Sequence, residues 1–199
     1  MNTTIHLVRH ATHDAVGQIL VGRMPGVRLS ADGRQQAARL AAWFAGQAVD
    51  AVQSSPRERA RETARPIAER SGRDCEVVVA LEEVDVGEWT GRRFTDLRSD
   101  PRWTLWNVQR GRACAPGGES MRDVQRRIVD HLHDVHARLH GGRVVAVSHA
   151  EVIRAALLAA LDLDLDAFHR IEVEPASVST IAVGGHNLSL VGMNEKAGW

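Results

Sequence analysis

Short apolar runs alternate with longer amphipathic stretches along most of this chain. Residues 4–8 form the first run, and residues 143–148 form one so continuous that it is typical of a central strand covered on both faces. Further runs predict strands at residues 50–54, 76–81, 178–183 and 188–193. Apolar residues recur at helical spacing at residues 31–44, 56–71, 121–139 and 151–161. This alternation predicts a mainly parallel sheet with helices on both faces.

Turn and capping signals mark the ends of several elements. Ser30 precedes the first helical stretch as an N-cap, and the glycines at 141–142 follow the third. Ser55, with Glu58 three residues later, predicts a capping box at the start of the second helix. Residues 184–187 contain two glycines and predict the turn of a closing hairpin.

The pattern weakens between residues 82 and 118. Trp89, Trp103 and Trp106 are scattered there among arginine, glycine and proline, which favours an insertion or lid. These tryptophans either line a pocket or anchor the lid. Six arginines outnumber the neighbouring aspartates, so they either reach over an anionic substrate or form a solvated surface. They are Arg92, Arg93, Arg98, Arg102, Arg110 and Arg112. We expect one domain over residues 1–199, with this lid inserted in it.

Composition narrows the class of protein. The chain is 44% hydrophobic and 25% charged with a formal net charge of zero, so no basic surface for a nucleic acid or a membrane is indicated. No apolar run approaches the roughly 20 residues that cross a bilayer, and the N-terminus does not resemble a signal peptide, so we expect a cytoplasmic protein. Cys75 and Cys114 lack metal-type spacing and are expected to be free thiols.

Histidines and arginines follow the predicted strands directly. Arg9 and His10 end the first strand, several arginines follow Ser55 after the second, and His149 follows the run at 143–148. Because the carboxyl ends of neighbouring parallel strands share one edge of a sheet, we expect these side chains to converge. Guanidinium groups neutralise phosphoryl oxygens, and an imidazole can attack phosphorus. The pattern therefore indicates a phosphoryl-transfer pocket.

Such a pocket also requires a proton donor for the leaving oxygen. Four carboxylates after the third predicted strand are candidates for this general acid: Glu82, Glu83, Asp85 and Glu88. Lys196 is the single lysine and stands near the end of the chain. Its position excludes a phosphate-loop lysine or a Schiff-base lysine in the body of the fold, and enzymes with a nucleotide cofactor are disfavoured.

Five short motifs span most of the chain, at residues 7–11, 54–64, 83–91, 117–120 and 147–150. In this order they resemble the motifs of the histidine phosphatase superfamily, in its branch of small phosphoglycerate-mutase-like phosphatases. Each motif alone is weak, whereas five in order are specific. The resemblance implies a three-layer α/β/α sandwich with a mainly parallel central sheet and a lid-like insertion. It also implies ping-pong phosphoryl transfer without a metal or another cofactor.

The resemblance assigns a role to five residues. His10 matches the nucleophile that becomes phosphohistidine. Glu83 matches the general acid that protonates the leaving group and later activates water. Arg9, Arg59 and His149 match the residues that hold the phosphoryl oxygens.

The resemblance extends to the loop at 21–26, where Gly22 and Arg23 are expected to contact the substrate. Arg59 is preferred to Arg57 as the phosphate ligand because the family places this ligand just before the helical alanine. The expected partner is a small anionic phosphorylated substrate, and neither a nucleic acid nor a membrane is expected.

The chain departs from the family pattern near both histidines. Ala11 and Ala150 stand where the family usually has glycine. Thr12 and His13 replace a common Glu-Thr pair, and Val16 occupies the neighbourhood of a common asparagine. These changes affect the expected substrate contacts more than the phosphoryl chemistry.

Three functions remain as alternatives: hydrolysis of a phosphomonoester, phosphoryl transfer by a phosphoglycerate mutase, and binding of a phosphorylated ligand without catalysis. Hydrolysis is favoured over the mutase reaction, because cofactor-dependent mutases of this superfamily are generally longer than this chain. A non-catalytic module that binds a phosphorylated ligand is disfavoured, because a binding module does not need the candidate acid.

His136 and His140 are spaced like a chelating pair, but a surface helix face is the preferred interpretation. The physiological substrate and the oligomeric state stay open.

Overall fold

One mixed sheet forms the centre of the molecule. The computed structural model describes residues 1–185 and 187–197, and six strands form the sheet within them. They are β1 (Thr3–Arg9), β2 (Ala51–Ser54), β3 (Cys75–Val77), β4 (Arg143–Ser148), β5 (Ser177–Gly184) and β6 (Asn187–Lys196). Their order is β3-β2-β4-β1-β5-β6; the first four are parallel, and β5 is antiparallel to both β1 and β6. The predicted sheet, its central β4 and the closing hairpin are confirmed, while His186 of the predicted turn lies outside the described residues.

Helices cover both faces of this sheet. Six α-helices occur in the described part of the chain: α1 (Ala31–Phe44), α2 (Glu58–Ser71), α3 (Phe94–Leu97), α4 (Pro101–Val108), α5 (Met121–Arg138) and α6 (Ala150–Ala160). Short 3-10 helices lie at Val79–Leu81, Gly87–Trp89 and Leu165–Arg170. Val145 and Val147 of β4 face α1 and α2, whereas Val144 and Ala146 face α5 and α6. Alternate side chains of one strand thus enter two cores, which produces the expected three-layer α/β/α sandwich.

The start of α2 differs from the predicted capping box. Arg57 is the N-cap residue and has no side-chain cap hydrogen bond. The Ser55 Oγ accepts a hydrogen bond from the Arg57 backbone at 3.3 Å, but it also lies 2.7 Å from Nε2 of His149. Glu58 accepts a hydrogen bond from the backbone N–H of Gly26 at 3.0 Å. The capping-box prediction was wrong because both side chains have tertiary partners that the local pattern does not contain.

The third strand is shorter than predicted. It pairs with β2 over Cys75–Val77, and the chain then turns into the 3-10 helix at Val79–Leu81. Leu81 is fully buried, and its carbonyl accepts a hydrogen bond from the Ser148 hydroxyl at 2.7 Å. The prediction of a strand over 76–81 was wrong at its C-terminal end, because the valine-rich pattern continues after the backbone has left the sheet for the core. This turn delivers the acidic residues that follow to the edge of the sheet.

Aromatic packing anchors the lid segment, residues 82–118. Trp89 and Trp106 are buried and meet edge to face with their ring centroids 5.9 Å apart. Trp103 packs edge to face on Trp89 at 5.3 Å. All three tryptophans join the core that α5 and α6 form on the sheet. The tryptophans therefore anchor the lid segment on the core, which was one of the two alternatives predicted from the sequence.

Three of the lid arginines are paired with acidic side chains. Arg92 and Arg102 both contact Asp100, at 3.4 and 3.0 Å. Arg110 is buried, pairs with Glu151 at 2.6 Å, and places its guanidinium 4.0 Å from the centroid of the Phe168 ring. The contacts of Arg92 and Arg102 therefore lie within the lid segment, whereas Arg110 connects this segment to α6.

Neither a membrane span nor a disulfide occurs among the described residues. No helix there is long and apolar enough to cross a bilayer. Cys75 and Cys114 are both free thiols, as expected.

The two ends of the lid segment meet through a close backbone contact at Gly87. Gly87 has a positive φ of 50°, and a Cβ atom there would lie 2.1 Å from the carbonyl oxygen of Pro116. Beside it, the Glu88 N–H donates to that same carbonyl at 3.0 Å, and the Glu119 N–H donates to the Asp85 carbonyl at 2.8 Å. Only glycine permits this approach, and the contact holds the backbone that carries Glu83.

The substitution Gly87→Ala should lower the free energy of unfolding by more than about 3 kcal/mol, because the new methyl group meets backbone atoms that cannot rotate away. Gly117→Ala is the matched control, since Gly117 also has a positive φ, of 67°, but has open space around its would-be Cβ. That control should cost only about 1–2 kcal/mol for the left-handed backbone. Urea unfolding of both variants checks the difference, and equal losses would contradict the close contact.

Candidate active site

The carboxyl ends of three adjacent parallel strands bring the predicted site residues together. β1 is followed by His10, β2 by Ser55 and β4 by His149. The sheet pairing continues beyond the strands, since His10 N–H donates to the Ser148 carbonyl and Ser55 N–H donates to the Val147 carbonyl, both at 2.9 Å. The His10 and His149 rings therefore meet edge to face with centroids 5.1 Å apart. The convergence expected from the sequence is present.

His10 is a buried, neutral imidazole with a defined tautomer. Its Nδ1 is 2.9 Å from the Ala11 carbonyl, so Nδ1 carries the proton and donates it. Its Nε2 accepts a hydrogen bond from Nε of Arg59 at 3.3 Å. Burial and the nearby guanidinium groups of Arg59 and Arg9 hold the pKa of His10 well below its ordinary value. Nε2 is thus unprotonated across the neutral pH range, with its lone pair directed to Arg59.

The alanines that replace the family's glycines need no special backbone. Ala11 is buried, and its N–H donates to the hydroxyl of Thr63 at 3.0 Å. Ala150 begins α6 directly after His149. Neither alanine has a positive φ. The methyl groups are therefore accommodated without strain, and both histidines keep their positions.

Arg59 lies at the centre of the cluster. It is fully buried in the first turn of α2, and its Nη2 donates to the Gly22 carbonyl at 2.8 Å and lies 3.2 Å from Nδ1 of His149. Its Nη1 is buried and has no hydrogen-bond partner among the described residues. Arg57 points elsewhere, with its Nη2 2.7 Å from the carboxylate of Glu82. Of the two arginines considered from the sequence, Arg59 is the one beside His10.

Arg9 supplies a second guanidinium at the same edge. Its Nη1 donates to the Val173 carbonyl at 2.7 Å, which orients the group. Its Nε is buried without a hydrogen-bond partner in the described residues. Buried N–H donors of a charged group are costly unless they are paired. The unpaired donors of Arg9 and Arg59 are thus suited to an anion that enters the site.

His149 is fully buried between Arg59 and Ser55. Because an arginine can only donate, Nδ1 of His149 accepts, and its Nε2 carries the proton that it donates to the Ser55 hydroxyl at 2.7 Å. Burial, Arg59 and His10 hold the pKa of His149 well below its ordinary value. The imidazole is therefore neutral in this arrangement.

Glu83 places its carboxylate against this cluster. Its Oε2 lies 3.6 Å from Nδ1 of His149 and 3.9 Å from Nη2 of Arg59, and its Oε1 accepts the Val84 N–H at 2.9 Å. Burial raises the pKa of Glu83 above its ordinary value, although Arg59 opposes that shift. Glu82 instead pairs with Arg57. Of the four carboxylates considered from the sequence, Glu83 is the one that contacts the histidine cluster.

Two arginines hold the main chain at Glu83. The Glu83 carbonyl accepts from Nε of Arg23 at 2.8 Å and from Nη2 of Arg127 at 3.4 Å. The carboxylate of Glu119 joins both arginines, at 3.0 Å from Arg23 and 2.9 Å from Arg127. Arg23, which the sequence suggested as a substrate contact, thus directs its guanidinium to this network. Gly22 contributes its carbonyl to Arg59.

A cavity of about 140 Å³ opens onto these residues. Arg9, His10, Glu83 and Glu151 form its polar part, together with His13. Apolar side chains also line it, among them Val16, Ile19, Leu20 and Phe94. Arg59 and His149 lie directly behind His10. The cavity therefore gives a small molecule access to Arg9, His10 and Glu83.

Several of these features were not found from the sequence. The sequence predicts Ser55 as a helix cap, although its hydroxyl orients His149, and it gives no role to Arg127 or Glu119. The glycine-rich motif at 117–120 contains Glu119 and was the available signal for it. Nothing in the described residues groups three or more metal-ligating side chains at a possible metal site. His136 and His140 bond instead to Thr3 and to the N-terminal amine.

Comparisons with known proteins identify the family of this chain. Residues 5–196 match the family model of the histidine phosphatase superfamily, branch 1. Phosphoserine phosphatase 1 of Hydrogenobacter thermophilus is 32% identical over 180 residues, which cover 88% of this chain and 84% of that protein.

Solved structures show the same architecture. The mycobacterial glucosyl-3-phosphoglycerate phosphatase superposes with a TM-score of 0.87 at 26% identity, over 98% of this chain and all 100% of that one. YhfR of Bacillus stearothermophilus superposes with a TM-score of 0.91 at 25% identity, over 97% of both chains. The paired histidines and buried arginines at the sheet edge thus occur in a fold that phosphatases share, and this chain belongs to branch 1 of the histidine phosphatase superfamily as an enzyme with phosphohydrolase activity.

Proposed function

We propose that this protein hydrolyses small phosphomonoesters through a phosphohistidine formed on His10. The observation that carries the proposal is the neutral His10 ring, whose Nε2 contacts the buried Arg59, while Arg59 and Arg9 both keep buried N–H donors that are unpaired among the described residues. Glu83 adds a carboxyl group whose raised pKa favours the protonated form. Nucleophile, anion site and acid are the three parts that transfer of a phosphoryl group to nitrogen requires.

Substrate binding would release the nucleophile. In the free protein, Nε of Arg59 donates to Nε2 of His10, so this hydrogen bond occupies the lone pair that must attack. Phosphoryl oxygens are stronger acceptors than a neutral imidazole, because their hydrogen bonds with a guanidinium are between opposite charges. A phosphoryl group held by Arg9 and Arg59 would therefore take over the Arg59 donors and free Nε2 of His10 next to phosphorus. Once Arg59 releases Nδ1 of His149, that nitrogen can take up a proton and donate to the same group.

The first chemical step transfers the phosphoryl group to the protein. Nε2 of His10 attacks phosphorus, the P–O bond to the leaving alcohol breaks, and Glu83 donates its proton to that oxygen. The ring becomes a cation when the P–N bond forms, and the hydrogen bond from Nδ1–H to the Ala11 carbonyl at 2.9 Å stabilises this charge. The arginines offset the charge on the phosphoryl oxygens.

The second step returns the protein to its starting state. The Glu83 carboxylate takes a proton from a water molecule, whose oxygen attacks phosphorus while the P–N bond breaks. Inorganic phosphate leaves, and Glu83 is protonated again. The network of Arg23, Arg127 and Glu119 keeps the Glu83 main chain in place through both proton transfers.

We propose a small phosphorylated metabolite as the substrate. The 140 Å³ cavity suits a compact leaving group. Relatives are named for phosphoserine and for glucosyl-3-phosphoglycerate, which places phosphorylated metabolites of this kind among the first to test. The free thiols Cys75 and Cys114 support the proposed cytoplasmic location, where such metabolites occur.

The substitution His10→Ala should lower kcat for p-nitrophenyl phosphate by about 10³-fold or more, because it removes the nucleophile. Rapid quenching of the wild type with labelled substrate under alkaline denaturing conditions should trap an acid-labile phosphoprotein that the variant lacks. The exposed His169 provides a control, since His169→Ala should keep both the activity and the trapped species. Substantial hydrolysis by His10→Ala would show that another residue attacks phosphorus.

Glu83→Gln should lower the rate of phosphoenzyme formation from an alkyl phosphate such as phosphoserine by about 10²–10⁴-fold. The same rate with p-nitrophenyl phosphate should fall much less, because nitrophenolate leaves without a proton. The matched control is Glu82→Gln, which removes the same charge one residue earlier from a carboxylate paired with Arg57. Single-turnover rates for both substrates separate this step from the later attack by water. Equal losses in the two variants would place the acid elsewhere.

The pH dependence should follow from the shifted groups. Because burial raises the pKa of Glu83, kcat/KM for an alkyl phosphate should stay high through mildly acidic pH and fall as the pH rises through that pKa. The lowered pKa of His10 keeps the nucleophile neutral, so activity should not be lost just below pH 6.5. The alkaline decline should be absent in Glu83→Gln. A profile that is the same in the variant would argue against Glu83 as the titrating acid.

A further inference from the structure

His13 is a third histidine in the cavity wall, beside the proposed nucleophile. Its ring lies 5.4 Å from the His10 ring, centroid to centroid, at an interplanar angle of 30°. The residue is 4% exposed, and its carbonyl accepts the Val16 N–H at 3.1 Å, which closes a turn after β1. This turn fixes where the imidazole sits relative to the site.

The Nδ1 atom of His13 is buried and has no hydrogen-bond partner among the described residues. A buried polar nitrogen without a partner is costly and is uncommon in folded proteins. The unpartnered donors of Arg9 and Arg59 belong to the same cluster. The buried N–H donors of Arg9 and Arg59 need an acceptor, and Nδ1 of His13 also needs one in the tautomer that carries its proton on Nδ1. One anionic group can supply acceptors to all three.

Among the described cavity-lining residues, the loop that carries His13 offers no polar side chain as an alternative partner. Of the residues from 13 to 22 that line the cavity, all of which are described, the others are apolar or glycine: Val16, Gly17, Ile19, Leu20, Val21 and Gly22. His13 is therefore the polar side chain that this loop presents to the cavity. Its ring lies beside that of His10, which relates it to the reacting group.

We propose that His13 donates a hydrogen bond to the phosphoryl group held by Arg9 and Arg59, as a further substrate-binding residue. This inference rests on the function proposed above. It assigns to the loop after β1 a contact that the sequence motifs do not contain, because His13 stands where the family pattern has another residue. The ligand class is a tetrahedral oxyanion, either alone or as part of the substrate.

The charges around His13 couple its protonation to ligand binding. Burial, then Arg59 of α2 and Arg9 of β1, lower the pKa of His13 to about 4, while Asp14 on its own loop opposes the shift. The neighbouring His10 is neutral, and Glu83 contributes a carboxyl group to the same cavity. A dianion between the two arginines offsets their charge and attracts a proton. The pKa of His13 should therefore rise when the oxyanion binds, and the ring then donates as an imidazolium.

Sulfate binding tests the contact directly, because sulfate stays a dianion over the neutral and mildly acidic range and cannot be hydrolysed. His13→Phe keeps a planar ring but removes both nitrogens, and it should raise the Kd for sulfate by about 5–20-fold. His13→Asn places an amide near the position of Nδ1 and should stay within about threefold of the wild type. Asp14→Asn changes a nearby exposed charge without the proposed contact and should stay within about twofold.

Calorimetry in buffers of different ionisation enthalpy gives a second readout at pH 6. The wild type should take up protons when sulfate binds, and His13→Phe should take up measurably fewer. If His13→Phe does not fold, His13→Asn and the ¹⁵N shifts of the wild-type His13 ring with and without sulfate carry the test. Equal sulfate affinity and equal proton uptake in wild type and His13→Phe, or ring shifts that sulfate does not change, would overturn the proposal.

The same variants separate this inference from the proposed function. His13→Phe retains His10, so it should still form the acid-labile phosphoprotein, with a raised KM. If the wild type formed no such species, the proposed function would fail while the sulfate measurements still judged His13. If the phosphoprotein formed and sulfate affinity did not depend on His13, the inference alone would fail.

Discussion

The buried guanidinium of Arg59 is the interaction on which the rest of the site depends. A fully buried positive charge is costly unless it is paired, and its carboxylate neighbour, Glu83, is 3.9 Å away rather than in a close ion pair. Neutral acceptors take up most of its donors: His10, His149 and the Gly22 carbonyl. The charge therefore orients both histidines and, in addition to their burial, keeps them unprotonated, while it remains incompletely neutralised itself. A dianionic phosphoryl group would neutralise the remaining charge of Arg59.

The same charge sets the balance at Glu83. Burial favours the protonated carboxyl group and Arg59 favours the carboxylate, so the two effects oppose each other at one residue. A group that must give a proton in one step and take one in the next benefits from such opposition. The main chain that carries it is held by Arg23 and Arg127, whose charges are themselves offset by Glu119. The main chain at Glu83 is thus held in place, and proton transfer requires a fixed position of this carboxyl group.

The lid segment is rigidly packed on the body of the protein and forms one wall of the cavity. Its buried tryptophans join the main core, and the backbone contact at Gly87 ties its beginning to its end. Arg110 and Glu151 connect it to the start of α6, close to His149. The cavity between this segment and the loop after β1 is small, which favours compact substrates. Packing on one face of the sheet therefore limits what can reach the chemistry at its edge.

The sequence by itself determined the alternation of strands and helices, the central β4 and the placement of Arg9, His10 and His149 at strand ends, because periodic burial and chain direction are local properties. Motif order, rather than spacing, selected Arg59 and Glu83. Only the tertiary structure decided that Ser55 orients His149 instead of capping α2 and that β3 ends at Val77. Those outcomes depend on partners far along the chain, and burial there outweighs the local preferences that a sequence pattern records.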